Sequence, residues 1–435
     1  MTKSRPNILY IHSHDTGRYV QPYGYPVPTP AIQRLAEEGV VFRQAFCAAP
    51  TCSPSRAGLL TGQCAHSSGM IGLAHRGFRL NDYSQHLVHT LRRAGYASTL
   101  IGVQHVAADA DQIGYDHVVP LAGTEARFVA PAAVDFLRNA PARPFFLSVG
   151  FDETHRVFHT PGADEVPRYV RPPAPLPDTP ETRRDMAAFK ASARVLDEGV
   201  GAVLDALDDA GLADNTLVIC TTDHGPAFPA MKCNLTDHGI GVMLIMRGPG
   251  GFTGGRVLDT MISHVDVFPT LCDLLSIDPP SWLQGHSFMP VIRGETDEIH
   301  DEIFAEVTYH AAYEPQRCVR TRRWKYIRRY SEQSTPVLPN CDDSPSKDAW
   351  LAHDWRNRPV AAEQLYDLVY DPNEAHNLAG DPAAESVLND MRARLNAWMQ
   401  HTDDPLLHSA YVAAPAGAVV NDPTGLSPQE PVQPA

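Results

Sequence analysis

Short runs of β-branched and aromatic residues recur along this 435-residue chain, each closed by turn-forming residues and separated by stretches whose apolar positions repeat at helical spacing. Residues 7–11, Asn-Ile-Leu-Tyr-Ile, read as a first strand, and further strands are expected at residues 97–101, 144–149, 216–220 and 242–246. These runs are almost continuously apolar, as strands covered on both faces are, and helices fall between them. The expected fold is therefore α/β, a central mostly parallel sheet flanked by helices. The first helix is expected to start at Thr29 as N-cap, with Pro30 in its first turn and Gly39 just past its end. A long helix is expected over roughly residues 182–210.

Beyond about residue 300 the pattern turns to β-type segments, including residues 318–330, followed by a helix near residues 385–399. We read residues 1–300 as the main catalytic domain and residues 301–412 as a smaller α+β subdomain. Residues 413–435 are rich in Pro, Gly, Ala and Gln with little to bury, and are expected to be a disordered tail. Residues 161–180 hold seven prolines and cannot form a regular element, so a stiff surface loop is expected there, at the site mouth or as a connector.

A charged fraction of 20% and a hydrophobic fraction of 43% are those of an ordinary enzyme. The net charge of -15 repels a phosphate backbone, which excludes nucleic acid as a partner. No apolar stretch is long enough to span a membrane, and residues 1–6 lead into the first strand without a signal-peptide pattern, so cytoplasmic location is the expectation. The eight cysteines are scattered and outline no disulfide framework.

One cysteine stands apart. The run Cys52-Ser53-Pro54-Ser55-Arg56 and the following Ala57-Gly58-Leu59-Leu60-Thr61-Gly62 put a reactive side chain and a guanidinium at one helix start. Free amides and the helix dipole there favour a tetrahedral anion, and Arg56 adds a bidentate donor. In open parallel sheets ligands gather at the carboxyl ends of the strands. Four expected strands end in chemically useful residues: Ser13-His14-Asp15, Gln104-His105, Asp152-Glu153-Thr154-His155 and Asp223-His224-Gly225. Asp15, Asp223 and His224, with His14, are candidate ligands of one divalent cation beside Cys52. His105 and His155 are candidate base and acid, and Lys232 a candidate cation for a sulfate or leaving-group oxygen.

Cys-x-Pro-Ser-Arg resembles the signature of the type I sulfatases, in which a separate formylglycine-generating enzyme oxidises that cysteine to Cα-formylglycine. The resemblance is nearest to the sulfamidase (heparan N-sulfatase) branch and related bacterial sulfatases. It extends through Ile101-Gly102 to His105, Pro144-Phe145-Phe146-Leu147, His155-Arg156, Asp223 to Asn234-Leu235, and Leu365-Tyr366-Asp367-Leu368 with Asp371-Pro372 and Asn377-Leu378. It implies an alkaline-phosphatase-like fold and a calcium ion held by His14, Asp15, Asp223, His224 and the group at Cys52. It also implies sulfate-binding and proton-transfer roles for Arg56, His105, His155 and Lys232, and a sulfated small molecule or carbohydrate as substrate.

The sequence departs from that pattern where an Asp-Asp pair becomes His14-Asp15 and an Asp-Asn pair becomes Asp223-His224, which admits manganese or zinc. The family lysine two residues before the histidine is Val103, and Gln104 or His310 is nominated in its place. Two other readings stand beside the sulfatase one: a phosphonate-monoester or phosphodiester hydrolase of the same superfamily, and a degenerate binder of sulfated ligands.

Overall fold

The computed structural model describes residues 5–142 and 144–435; Met1 to Ser4, on which the localisation expectation partly rests, lie outside them. Among the described residues eight strands form one sheet: β1 (Asn7–Ser13), β2 (Val40–Phe46), β3 (Ala97–Gly102), β4 (His117–Val118), β5 (Phe145–Gly150), β6 (Thr216–Thr222), β7 (Leu244–Arg247) and β8 (Arg256–Ser263). Their spatial order is β4-β3-β5-β1-β6-β7-β2-β8. Every pairing is parallel except those of β7, which runs antiparallel to both β6 and β2.

The alternation of strand side chains explains the continuous apolar runs. Ile8 and Tyr10 face one core with Phe146 and Ile219, while Leu9 and Ile11 face a second with Leu147, Val149 and Val218. Helix α1 (Pro30–Glu38) follows the first strand with Gly39 past its end, and helix α2 (Cys52–Thr61) begins at the candidate cysteine. The long helix α3 (Pro180–Asp209) packs Leu196, Val200, Val203 and Leu207 on the second core.

Three features differ from the expectations. Strands β2 and β8 were not anticipated, because Arg43, exposed in β2, and the half-exposed start of β8 break the apolar pattern near the sheet edge. Thr29 precedes α1, but its side chain caps nothing there; its Oγ1 accepts from the Gln21 amide at 2.9 Å instead. Residues 413–435, expected to be disordered, carry the strand pair β13 (Val419–Val420) and β14 (Gln433–Pro434), and Asn421 is fully buried. A few apolar side chains and a set of polar contacts hold this segment: Ala418 and Val420 are buried in the first core, the Asn421 amide donates to Ala311 O at 2.8 Å and its Nδ2 to Glu430 O at 2.7 Å.

A second, antiparallel sheet contains β9 (Glu302–Tyr309), β10 (Tyr313–Thr321), β11 (Trp324–Arg329) and β12 (Glu363–Asp367), in the order β12-β11-β10-β9. Helix α4 (Glu385–His401) covers it, setting Leu388, Met391 and Leu395 on Val319, Tyr326 and Leu365. A buried ionic network ties the second sheet to the short helical turn Ala65–Ser68 that follows α2. Arg317, with no exposed surface, donates from Nε to Asp404 Oδ2 at 2.5 Å and lies 3.2 Å from Glu306 Oε2, while Glu306 Oε1 is 2.9 Å from His66 Nδ1. Burial alone would raise the Glu306 carboxyl, but the charges of His66 and Arg317 outweigh it and hold the group at about 2.

Removing one member of such a network strands the others without a counter-charge. Arg317→Met is expected to cost about 3–5 kcal/mol of folding stability, read as a lower denaturant midpoint. Glu306 has a depressed folded pKa, so its contribution is present above the unfolded carboxyl pKa of roughly 4.5 and is lost as pH falls from there toward about 2. The acid-sensitive part of wild-type stability is therefore expected to shrink in the Glu306→Gln variant.

Candidate functional site

The loops leaving β1, β5 and β6 are laced together before any catalytic group is considered. The His14 amide donates to Glu153 O at 3.1 Å and the Thr154 amide to His14 O at 2.7 Å, joining the first and third expected strand ends. The Asp15 amide donates to Asp223 Oδ1 at 2.8 Å and the Thr16 amide to Thr222 Oγ1 at 3.1 Å, joining the first and the fourth. Asp15 adopts φ of +56°, a left-handed conformation that side-chain-bearing residues take up only when the surroundings enforce it.

Helix α2 aims its first residue at this seam. Thr51 before it is extended and offers no side-chain cap, so the first helical amides have no side-chain oxygen from that residue. At the other end Gly62, at φ +68°, closes the helix through its amide to Gly58 O. Cys52 is 2% exposed, and its Sγ lies 3.4 Å from His224 Nε2. Ligand atoms of His14, Asp15, Cys52 and Asp223 all fall within 4.8 Å of one another. His14 Nε2 is 3.2 Å from Asp223 Oδ2, and His224 Nε2 is 3.3 Å from Asp15 Oδ1.

These residues fit a divalent cation. Both ring nitrogens of His14 and Asp15 Oδ1 are buried with no hydrogen-bond partner, which a protein tolerates at a position meant for a ligand. His224 Nδ1 pairs with Gly225 O at 2.9 Å, which leaves its Nε2 lone pair facing the cluster. Burial and neighbouring positive charges, His155 first, hold the His14 imidazole well below its ordinary pKa and so neutral, as a ligand must be.

Arg56 sits among the ligands. Its Nη2 donates to Asp223 Oδ2 and Ser13 O, both at 3.0 Å, and its Nη1 lies 2.5 Å from His12 Nδ1. Burial would raise the Asp223 carboxyl, but His224, Arg56 and Lys232 outweigh it and keep the group ionised. Lys232, 3% exposed, donates from Nζ to Asp15 Oδ2 at 2.8 Å and lies 3.2 Å from Asp342 Oδ2. Burial would discharge the ammonium, yet Asp15 and Asp342 overcome it and raise its pKa well above the usual value.

His155 stacks on His14 at 4.5 Å with Nε2 4.0 Å from Asp15 Oδ2, and its Nδ1 pairs with Arg156 O at 2.6 Å. His105 meets His14 edge-on at 5.7 Å. Burial pushes the Cys52 thiol well above its ordinary pKa, and the Asp15 and Asp223 charges add to this against the pull of Lys232 and Arg56. An unmodified Cys52 is thus held as the protonated thiol, a poor nucleophile.

All nine residues singled out from the sequence converge on this one place. Of the two groups nominated in place of the missing lysine, Gln104 is turned onto its own loop, its Oε1 accepting from the Val106 and Ala107 amides at 2.5 and 2.9 Å. His310 is buried, with Nδ1 unpartnered and its pKa depressed by burial first and by the charge of Lys232 second. Asp342 and His75 were missed; Asp342 stands in an irregular segment and His75 on the single helical turn Ala74–Arg76, both too short to leave a periodic signal.

Comparison with known proteins places the chain in a family. A family model described as Sulfatase matches residues 6–277, more than half of the chain, and one described as N-sulphoglucosamine sulphohydrolase, C-terminal, matches residues 231–363. The human N-sulphoglucosamine sulphohydrolase is 29% identical over 99% of this chain and 95% of its own length. A Delta 4,5-hexuronate-2-O-sulfatase of Bacteroides thetaiotaomicron is 26% identical over 92% of this chain and 90% of its own. A solved structure in complex with its substrate D-glucosamine-2-N,6-O-disulfate has a TM-score of 0.73 at 18% identity, covering 92% of this chain and 99% of that one, and so shares the fold. With this architecture and the Cys52 cluster in view, the chain belongs to the sulfatase family.

Proposed function

We propose that this sulfatase hydrolyses a sulfate ester or N-sulfate of a carbohydrate, with residue 52 carrying formylglycine and one divalent cation beside it. The observation that carries the reading is the meeting of Cys52 Sγ with His224 Nε2 at 3.4 Å inside the cluster of His14, Asp15 and Asp223. The relatives named for N-sulphoglucosamine and hexuronate sulfates support a sulfated sugar as the substrate class.

Formylglycine, made from Cys52 by a formylglycine-generating enzyme, would supply an attacking hydroxyl as its hydrate, and a cation on His14, Asp15, Asp223 and His224 would polarise the sulfate oxygen. Arg56 holds Asp223 ionised and oriented through the 3.0 Å contact. Lys232 and His155 stand on the Asp15 side, where they donate a proton to the departing alcohol or amine. His105, with a ring nitrogen within 4.8 Å of Cys52 Sγ, would serve as the acceptor for a proton of the group on residue 52. Two imidazoles with two carboxylates make a donor set suited to manganese or zinc, whereas calcium takes oxygen ligands, so the metal we propose is of the former class rather than the calcium implied by resemblance.

A phosphonate-monoester or phosphodiester hydrolase is the second reading, favoured by His224 in the Asp223-His224 pair. One preparation assayed on an aryl sulfate, a glucosamine N-sulfate and an aryl phosphodiester separates the two. The sulfatase reading predicts a kcat/KM at least about tenfold higher on a sulfated substrate. Faster phosphodiester turnover reverses the assignment, and the absence of multiple turnover on all three leaves a ligand-binding member.

A further inference from the structure

His75 stands on the short turn Ala74–Arg76, and its Nδ1 lies 2.8 Å from Nε2 of His105. The two rings stack with centroids 5.1 Å apart and planes within 15°. One proton joins the pair, because a neutral imidazole carries one N–H and one lone pair. His105 is itself held at φ +55°, away from the conformations its side chain allows freely. A ring nitrogen of His105 comes within 4.8 Å of Cys52 Sγ.

The turn that carries His75 is anchored from two sides. The Ala74 amide donates to Oγ of Ser53, the residue after Cys52, at 3.0 Å. Arg76 Nη1 donates to Asn421 Oδ1 at 2.8 Å and to Ala311 O at 3.2 Å. Gly77, at φ +92°, lies so near the 413–435 segment that a Cβ there would meet Ala418 Cα at 2.9 Å. The last residues of the described chain therefore brace a turn that contacts the reacting centre.

We propose that His75 is a positioning residue for His105, and that Asn421 holds it in register. The proposal rests on the sulfatase reading. A proton acceptor works only when its lone pair faces the reacting proton, and the two tautomers of imidazole differ in which nitrogen that is. By engaging Nε2 of His105, His75 selects one tautomer, fixes the ring plane and leaves Nδ1 to exchange a proton with the group on residue 52. This is the arrangement of a base oriented by a third group, with an imidazole where other sites use a carboxylate.

Steady-state kinetics on a sulfated substrate and ring-nitrogen NMR of the full chain test it together. His75→Ala is expected to lower kcat about 10- to 100-fold, the usual cost of losing the hydrogen-bond partner of a functional histidine, with KM within about twofold. His75→Asn, whose amide reaches toward the same nitrogen, recovers part of that loss, and Asn421→Ala lowers kcat in the same direction by less. The wild type shows a hydrogen-bonded ring proton shared by the pair, read from the 15N shift of His105 Nε2, that is absent from His75→Ala. An unchanged kcat in His75→Ala overturns the proposal, as does a wild-type spectrum without the shared proton. A wild type that shows the proton but turns over no sulfate refutes the sulfatase reading and the positioning role with it, while normal wild-type turnover with an indifferent His75→Ala refutes the positioning role alone.

Discussion

Cys52→Ala is expected to lower turnover of any sulfated substrate by on the order of 10⁴-fold or more while leaving the fold intact, because a nucleophile acting as one unit with its proton-transfer partners is not replaced by its neighbours. The side chain is small and 2% exposed, so its loss leaves a void of little more than one sulfur atom and costs about 1 kcal/mol of stability. Far-UV and thermal profiles of the variant should then match the wild type closely. Mass spectrometry of the peptide bearing residue 52 belongs to the same experiment. The wild type made alongside a formylglycine-generating enzyme should carry an aldehyde in place of the thiol, and turnover should scale with the converted fraction. A fully unconverted preparation that turns over at the wild-type rate would remove formylglycine from the account, and undiminished activity in Cys52→Ala would remove residue 52 altogether.

Asp223→Asn should separate the metal from the rest of the site. The substitution keeps the shape that accepts the Asp15 and His224 amides at 2.8 and 2.9 Å, but removes the charge facing Arg56 at 3.0 Å and His14 at 3.2 Å. Elemental analysis is expected to give less than a stoichiometric cation, and kcat/KM should fall by about 10³-fold or more as the charge stabilisation of the reacting oxygens is lost. Leaving Arg56 buried without its carboxylate costs about 3–5 kcal/mol in addition. His14→Asn serves as a second variant, since it removes one ligand and strands no charge. Chelation sharpens the readout. A cation at a hundredfold excess over its Kd contributes about 2.7 kcal/mol to wild-type stability, so a chelator should lower the wild-type Tm and leave that of Asp223→Asn unmoved. A variant with full metal content would place the ion elsewhere. The identity of the bound element, manganese or zinc against calcium, comes from the same measurement.

Much of this site could be read from the chain because its chemistry is local. Cys52 and Arg56 are four residues apart on one helix, and His14-Asp15 and Asp223-His224 each sit where an apolar strand run stops. Parallel strands bring their carboxyl ends to one edge whatever their order, so strand-end polar residues converge without any knowledge of pairing. The direction of β7, antiparallel to both neighbours within the mostly parallel sheet, was not legible, because strand direction leaves no trace in an apolar run. Composition misled for the 413–435 segment, where a few apolar side chains, Ala418 and Val420, are buried. Asn421 is held by hydrogen bonds to Ala311, Glu430 and Arg76, and such bonds depend on partners that composition does not reveal.

The amino-acid sequence by itself determined the fold class, the cysteine at the start of helix α2 and the set of groups gathered round it, since strand alternation and a short contiguous motif encode them within a few residues. Only the tertiary structure decided what each group does to the others: Arg56 bonded to Asp223, Lys232 held between Asp15 and Asp342, and His75 seated on His105. Those pairings join positions as far apart as Asp15 and Lys232, separated by 217 residues, and a contact over that span is fixed by how the sheet stacks its loops rather than by any local pattern.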